Sequence, residues 1–176
     1  MSEFGRFHIV LVVVTDPAID REAMAQQVEC ADGRKRSLFE VYSVTRDEQH
    51  LRLKDGAKPL RFELSPLRQR AVNRLVEDPD APTGDELWSL AAASVVGVED
   101  PKGRITLDAD ADYHKPDGDG RRVLKSDAFE RIAQVIGTKA VREIGFALFQ
   151  RAALPEWATA PFALARGSEP SSSKTG

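Results

Sequence analysis

The first third of the chain alternates between apolar, β-branched runs and turn residues. The run from His8 to Thr15 is almost unbroken in its apolar character, which predicts a central strand covered on both faces. Asp16-Pro17 is typical of a helix start, and apolar residues at helical spacing continue to Cys30, so we expect a short helix there. Asp32-Gly33 ends that helix, and the β-favouring stretch from Leu38 to Thr45 predicts a second strand.

Apolar and polar residues alternate on both sides of a turn in the segment from Leu51 to Leu64. The turn is Asp55-Gly56, and period-two alternation about such a turn predicts a β-hairpin. Ser65-Pro66 then predicts the start of a helix, which Pro79 ends. The N-terminal half is therefore expected to be β-rich, with a hairpin.

The second half of the chain has helical periodicity. Thr83 and Glu86 form a capping-box pattern that opens a helix ending near Gly97. Two further helices are predicted, one from Asp127 to Gly137 and one from about Lys139 to Ala153. A β-rich half followed by a helical half predicts an α+β fold.

A glycine, Gly145, lies within the apolar stripe of the last predicted helix. A glycine at such a position indicates that another backbone approaches closely. That backbone belongs either to the same chain or to a second subunit. A monomer and a homo-oligomer therefore both stay open.

The chain has the length of one domain with a substantial core, because a domain of about 150 residues buries roughly two thirds of the surface that its unfolded chain exposes. We expect a single α+β domain over residues 1–154, with an acidic, turn-rich excursion over 100–120. Residues 155–176 end in a Ser-rich stretch and predict an extended arm with a flexible tail. Trp157 and Phe162 in this arm are candidate partner-binding residues.

The charge balance disfavours nucleic acids and membranes as partners. The chain has 25 Lys and Arg against 28 Asp and Glu, a net charge of −3. Its longest apolar run, Ile9 to Val14, is far shorter than the roughly 20 residues of a spanning helix. The basic cluster Arg34–Arg36 and the arginines from Arg68 to Arg74 are expected to be solvated faces, with nucleic-acid binding as the alternative. A single cysteine and the lack of a signal-peptide pattern at Met1–Gly5 predict a cytoplasmic protein.

One acidic segment has the alternating carboxylates of a calcium loop. Asp108, Asp110 and Asp112 are followed by Asp119, as at the start of an EF-hand-like loop. Tyr113 occupies the sixth position, where the sharp turn needs Gly, and Asp119 occupies the twelfth, where Glu is the bidentate ligand. We expect an acidic solvated loop, and a calcium-binding module or metal-dependent enzyme centred on residues 108–119 is the alternative.

The sequence has no recognisable set of catalytic residues. His8, His50 and His114 are scattered without a zinc-type spacing, and Cys30 has no activating base near it in sequence. No glycine-rich loop follows the first predicted strand, which disfavours a nucleotide site. We therefore predict a protein without enzymatic activity and without a cofactor.

The predicted helix between Ser65 and Pro79 carries three arginines, Arg68, Arg70 and Arg74, on the side away from its apolar stripe. Arginine is enriched at protein–protein interfaces. These three residues are therefore candidate partner-binding residues.

Several segments resemble a known group of viral proteins. Thr15–Asp20, Pro59–Leu67, Ser94–Glu99 and Val141–Gly145 are similar to small tail-assembly or accessory proteins of tailed bacteriophages. The resemblance covers about half of the chain, and the acidic stretch from Asp108 to Gly120 departs from it.

The resemblance implies a β-rich N-terminal half followed by helices. It also implies a non-catalytic role in virion morphogenesis, either as a chaperone of tail proteins before they polymerise or as a minor virion component. The expected partners are other phage structural or assembly proteins. The expected location is the cytoplasm of the bacterial host or the virion itself.

Overall fold

The computed structural model describes residues 9–65, 67, 69–116 and 122–151. The predicted arm and tail over 155–176, with Trp157 and Phe162, lie outside these residues, as do His8, Arg68 and Asp119.

Helices and short strands are interspersed up to residue 99. Two helices of 11 and 14 residues follow. In chain order the elements are β1 (Ile9–Leu11), α1 (Arg21–Met24), β2 (Gln27–Glu29), β3 (Lys35–Ser37), α2 (Leu38–Thr45), a 3₁₀ turn (Glu48–His50), β4 (Arg61–Leu64), α3 (Gln69–Leu75), α4 (Gly84–Ser94), β5 (Val95–Glu99), α5 (Ser126–Ile136) and α6 (Thr138–Arg151).

Two small antiparallel sheets accompany these helices, which confirms the predicted α+β class. The larger sheet has the order β1-β4-β5, with Ile9 opposite Leu64 and Arg61 opposite Glu99. The smaller sheet is the β2–β3 hairpin.

The main core lies between the three-stranded sheet and the helices α4, α5 and α6. Trp88 and Phe129 meet edge to face there, with ring centroids 5.6 Å apart, an arrangement that aromatic rings favour. A second apolar cluster lies beneath α1 and α2, and a third joins α3 to α4. The fully buried side chains across the first two clusters include Leu11, Phe62, Leu64, Val95, Ile132, Ile144, Val12, Ile19, Met24 and Tyr42.

The prediction of a central first strand is wrong. Within the described part of the sheet β1 is an edge strand of three residues, and the Val10 side chain is 42% exposed. The central strand is β4, because it pairs with both β1 and β5. At Val12 the Tyr42 hydroxyl takes the place of a neighbouring strand as the hydrogen-bond partner. It accepts from the Val12 amide at 2.9 Å and donates to the Val12 carbonyl at 2.6 Å.

The predicted helix from Asp16 to Cys30 is also wrong. Helix α1 is a single turn capped by Asp20, and the residues after it form β2. The Asp16 carboxylate is buried and accepts from the amides of Ala18 at 2.8 Å and Leu60 at 2.9 Å. It therefore joins the turn after β1 to the segment before β4 instead of capping a helix.

The stretch from Leu38 to Thr45, predicted as a strand, is helix α2. Ser37 and Glu40 form a capping box that fixes its first turn. Leu38, Val41 and Tyr42 then fall on one buried helical face. Capping and burial therefore outweigh the β-favouring composition of the segment.

The predicted hairpin over residues 51–64 does not form. Leu53 bridges Ile19, and Arg61–Leu64 pairs with β1 and β5. The turn at Gly56 is present, with a φ of 69°. The hairpin of the N-terminal half is β2–β3, which turns at the Asp32-Gly33 pair that was expected to end a helix.

Predictions for the second half are largely confirmed. Helix α4 has the Thr83–Glu86 capping box, and Gly137 ends α5 with a φ of 85°. Helix α4 is shorter than expected, because Val95–Glu99 leaves it to pair with β4. The expected close approach at Gly145 is internal to the chain.

Candidate functional site

The acidic excursion is tied to the rest of the fold through Asp112. This buried carboxylate accepts from the Asp108 amide at 2.7 Å and pairs with Arg131 on α5 at 2.6 Å. Its own backbone carbonyl accepts from the Lys125 amide at 2.9 Å, and Tyr113 bridges Leu124. Asp112 therefore connects the excursion to the start of α5.

The carboxylates of the predicted calcium loop point largely towards backbone amides. Asp108 accepts from the amides of Asp110 at 2.9 Å and Ala111 at 2.7 Å, and these bonds lower its pKa. The hydrogen bond from Arg131 lowers the pKa of Asp112. Asp110 is exposed. Among residues that the structure describes, no three His, Cys, Asp or Glu side chains are arranged to hold a metal ion. Calcium binding that includes Asp119 stays a prediction.

A second carboxylate organises the start of the excursion. The Asp100 side chain accepts from the amides of Lys102, Arg104 and Ile105 at 2.8–3.0 Å. Burial on its own would raise the pKa of Asp100, but these backbone hydrogen bonds outweigh it and lower the pKa. The loop is therefore built around an ionised carboxylate.

The basic cluster Arg34–Arg36 is partly neutralised within the β2–β3 hairpin. The Arg36 guanidinium holds Asp32 with two bonds, of 2.9 and 2.7 Å, and this pairing lowers the pKa of Asp32 to about 2. A bidentate pair leaves Arg36 less available for a phosphate. Nucleic-acid binding here stays the less favoured alternative.

The histidines with described positions are not brought together. His50 is buried at the last position of the 3₁₀ turn, and burial lowers its pKa, whereas His114 is exposed in the excursion. Cys30 is buried at the end of β2. Their positions indicate no shared catalytic centre among the described residues.

An ion pair across the core was missed by sequence reasoning. Arg46 follows α2 and Glu143 lies on α6; their charged groups meet at 2.7 Å, with side chains only 9% and 13% exposed. Glu143 also accepts from the Val14 amide at 2.8 Å. Arg46 has a φ of 51°, a conformation that residues other than glycine rarely adopt. One atom of this arginine, Nε, is buried without a hydrogen-bond partner among the described residues.

An aromatic pair lies on α6 beside α3. Phe146 is 39% exposed and stacks on Phe149, with ring centroids 6.5 Å apart. Phe149 in turn packs against an apolar cluster that contains Val72 of α3 and Val76, which follows α3. The candidate residues Arg70 and Arg74 are exposed on α3. We group these two arginines with Phe146 and Phe149 as candidate partner-binding residues of two neighbouring helices, and we call the four residues the α3–α6 surface.

Arg70, Arg74, Phe146 and Phe149 belong to residue types that are enriched at protein–protein interfaces. Aromatic residues and arginine are enriched in the centres of interfaces, and charged residues other than arginine are depleted there. Sequence reasoning identified the arginines but missed both phenylalanines, because they lie outside the apolar stripe that was predicted for the last helix.

Comparison of the chain with models of protein families, with curated proteins and with solved structures found no match. Among the described residues, no helix is both long enough and apolar enough to cross a membrane.

Proposed function

We propose that the protein is a non-enzymatic bacteriophage tail-assembly or minor virion protein, and that it acts through protein–protein contacts made by the α3–α6 surface. The observation that carries the proposal is Phe146, a large aromatic side chain that is 39% exposed and stacked on Phe149. An exposed aromatic ring of this kind gains apolar burial when a partner covers it.

The chemistry of the surface also specifies the partner. Arg70 and Arg74 favour carboxylates, which planar guanidinium groups hold with paired hydrogen bonds. Phe146 favours an apolar side chain. The proposed partner is therefore another assembly protein that presents both acidic and apolar residues.

The resemblance to phage proteins supports the assembly role, and the segments that carry it are neighbours in the fold. Asp16 of the first segment binds the Leu60 amide of the second at 2.9 Å. The second and third segments pair as β4 and β5, and the Ser65 amide donates to the Ser94 carbonyl at 2.8 Å. Three of the four segments that carry the resemblance thus contact one another in the fold.

The test is capture of a partner by the purified full chain from a lysate of phage-producing cells. The captured proteins are identified by mass spectrometry and compared with the phage structural and assembly proteins. Phe146→Ser and Arg74→Glu are expected to weaken capture of an identified phage protein by about tenfold or more, the usual effect of losing an interface hot spot.

Val135→Ser is the matched control, because Val135 is exposed to a similar extent, 36%, but lies on α5. It is expected to leave capture unchanged. Capture of no phage protein, or equal loss in Val135→Ser and Phe146→Ser, would contradict the proposed function.

A further inference from the structure

A pocket of about 230 Å³ lies at one end of the three-stranded sheet. The turn after β1, the segment before β4 and the loop after β5 form its wall, because antiparallel pairing brings these three strand ends together. A cavity of roughly 150 Å³ accommodates benzene. This pocket therefore has room for a ring-sized group and for a further small group beside it.

Three basic residues line the pocket, and they belong to two of its three walls. Lys58 precedes β4, and Lys102 and Arg104 follow β5. All three are exposed. Among the described residues, the side chains of the two lysines make no hydrogen bond or ion pair, and Arg104 makes one contact of 3.5 Å with Asp100. Their charged groups are therefore available to a ligand, which lysine reaches on a flexible four-carbon stem.

The two carboxylates of the pocket wall are occupied by backbone amides. Asp16 is buried and accepts from two amides, and Asp100 accepts from three and has a side chain that is 0% exposed. These bonds hold the backbone of the wall in place. With three basic and two acidic residues the lining has a formal charge of +1, whereas the whole chain has −3. A ligand in the pocket therefore contacts cations, and the charge of the site favours an anion.

The remainder of the wall is apolar. It consists of Pro17, Ala18, Ala57, Leu60 and Pro101. These side chains have no polar group that a ligand must satisfy, so they suit an apolar part of a ligand.

We propose that this pocket binds a small phosphate monoester with an apolar body about the size of a benzene ring. Lys58, Lys102 and Arg104 bind the phosphate, and the body packs against the apolar part of the wall. A phosphate fits these cations better than a carboxylate does, because it has a charge of about −1.5 to −2 at pH 7 and three acceptor oxygens.

Phenyl phosphate, inorganic phosphate and benzoate test this site, because they combine or separate the phosphate and the ring. Each is titrated into the full chain while NMR follows the amide resonances of Ala18, Ala57 and Lys102. Phenyl phosphate is expected to shift these resonances at the lowest concentration, and its affinity is expected to fall as salt is added. If no probe shifts them, or if either of the other two binds as tightly as phenyl phosphate, the proposal is overturned.

The double variant Lys58→Gln/Lys102→Gln removes two of the three cations at exposed positions, so the fold is expected to stay intact. Its affinity for phenyl phosphate is expected to fall about tenfold or more, as for the loss of hydrogen bonds to a charged group. Lys35→Gln/Lys139→Gln is the matched control, because it removes the same charge from exposed positions on β3 and α6. Equal affinity in the two double variants would mean that only the net charge matters and would contradict the site.

A phosphoserine peptide presents the same group as part of a protein chain. Phenyl phosphate is expected to bind more tightly than this peptide, because the peptide has no ring next to its phosphate. Equal or tighter binding of the peptide would contradict a small-molecule site. The proposal does not depend on the α3–α6 surface, so either one can fail while the other stands.

Discussion

Arg46 and Glu143 lie 97 positions apart in sequence, and no local pattern connects them. The segment before Arg46 was predicted to be a strand, and Glu143 was one of several charged residues on the last predicted helix. Their pairing depends on the packing of α2 against α6, which only the tertiary structure provides. Sequence reasoning therefore identified neither member of this ion pair.

Removing the charge of one partner of this ion pair is expected to lower the stability of the fold. Glu143→Gln leaves the Arg46 cation buried without its counter-charge, and we expect a loss of about 3–5 kcal/mol in the free energy of unfolding. Urea denaturation measures it. The double variant Arg46→Met/Glu143→Gln should recover much of the loss. If its loss of unfolding free energy equalled the sum of the losses in Arg46→Met and in Glu143→Gln, a direct interaction would be contradicted.

Tyr42 is the other residue whose role depends on a distant contact. Its hydroxyl serves both backbone groups of Val12, and burial raises the pKa of Tyr42 to about 12. Tyr42→Phe leaves these two groups without a partner, and we expect a loss of about 1–3 kcal/mol in unfolding free energy. Tyr113→Phe is the control, because the half-buried Tyr113 hydroxyl binds a single carbonyl, that of Val96. An equal loss in the two variants would contradict this role for Tyr42.

At the scale of elements, prediction succeeded where local signals agreed with packing. Helix α4 was expected from its capping box, and the turn between α5 and α6 from Gly137. Helix α2 was missed because Val41, Tyr42, Val44 and Thr45 are β-favouring, while the capping box at Ser37 and the contacts of its buried face determine the helix. Strand pairing was predicted between neighbours in sequence, but β4 pairs with β1 and β5.

The contact between α4 and α6 depends on Gly145. A Cβ at Gly145 would overlap the backbone carbonyl of Leu87, which cannot move without displacing α4. Gly145→Ala is expected to lower the unfolding free energy by about 1–3 kcal/mol, as overpacking does, although alanine is the better helix former. Thermal unfolding measures this effect.

Gly84→Ala is the matched control for this variant. A Cβ at Gly84 meets only the guanidinium end of Arg142, which is flexible enough to move away. We expect Gly84→Ala to leave stability unchanged or to raise it slightly. If Gly145→Ala were as stable as Gly84→Ala, the close packing of the two helices would be wrong.

For the whole molecule, the sequence predicted the α+β class, the β-containing first half and the helical second half. The topology was not predictable in the same way, because pairing of β1 with β4 joins segments about 50 residues apart and depends on burial that no short pattern contains. For the candidate surface, the arginines could be proposed from composition, whereas the exposed Phe146 required knowledge of which helical face is covered.

The acidic excursion gives the whole fold a dependence on pH. The pKa values of Asp100, Asp108 and Asp112 are lower in the folded chain than in the unfolded one. Their contribution to stability is therefore complete above the unfolded value, about 3.9, and is lost as the pH falls through the folded values. Asp112→Asn is expected to lower the melting temperature at pH 7. Below pH 4 the melting temperatures of the variant and the unaltered chain are expected to differ less. A difference that does not change with pH would contradict an ionised Asp112.

Complementation of a phage tests the proposed function, in which the protein takes part in the assembly of phage particles through the α3–α6 surface. A phage genome from which the gene for this chain is deleted is supplied with the unaltered chain, with Phe146→Ser/Arg74→Glu, or with Val135→Ser. We expect infectious particles with the unaltered chain and with Val135→Ser. With the double variant we expect incomplete particles and a titre lower by about tenfold or more, as when an interface loses a hot-spot residue. Normal titres with the folded double variant would contradict the proposed function.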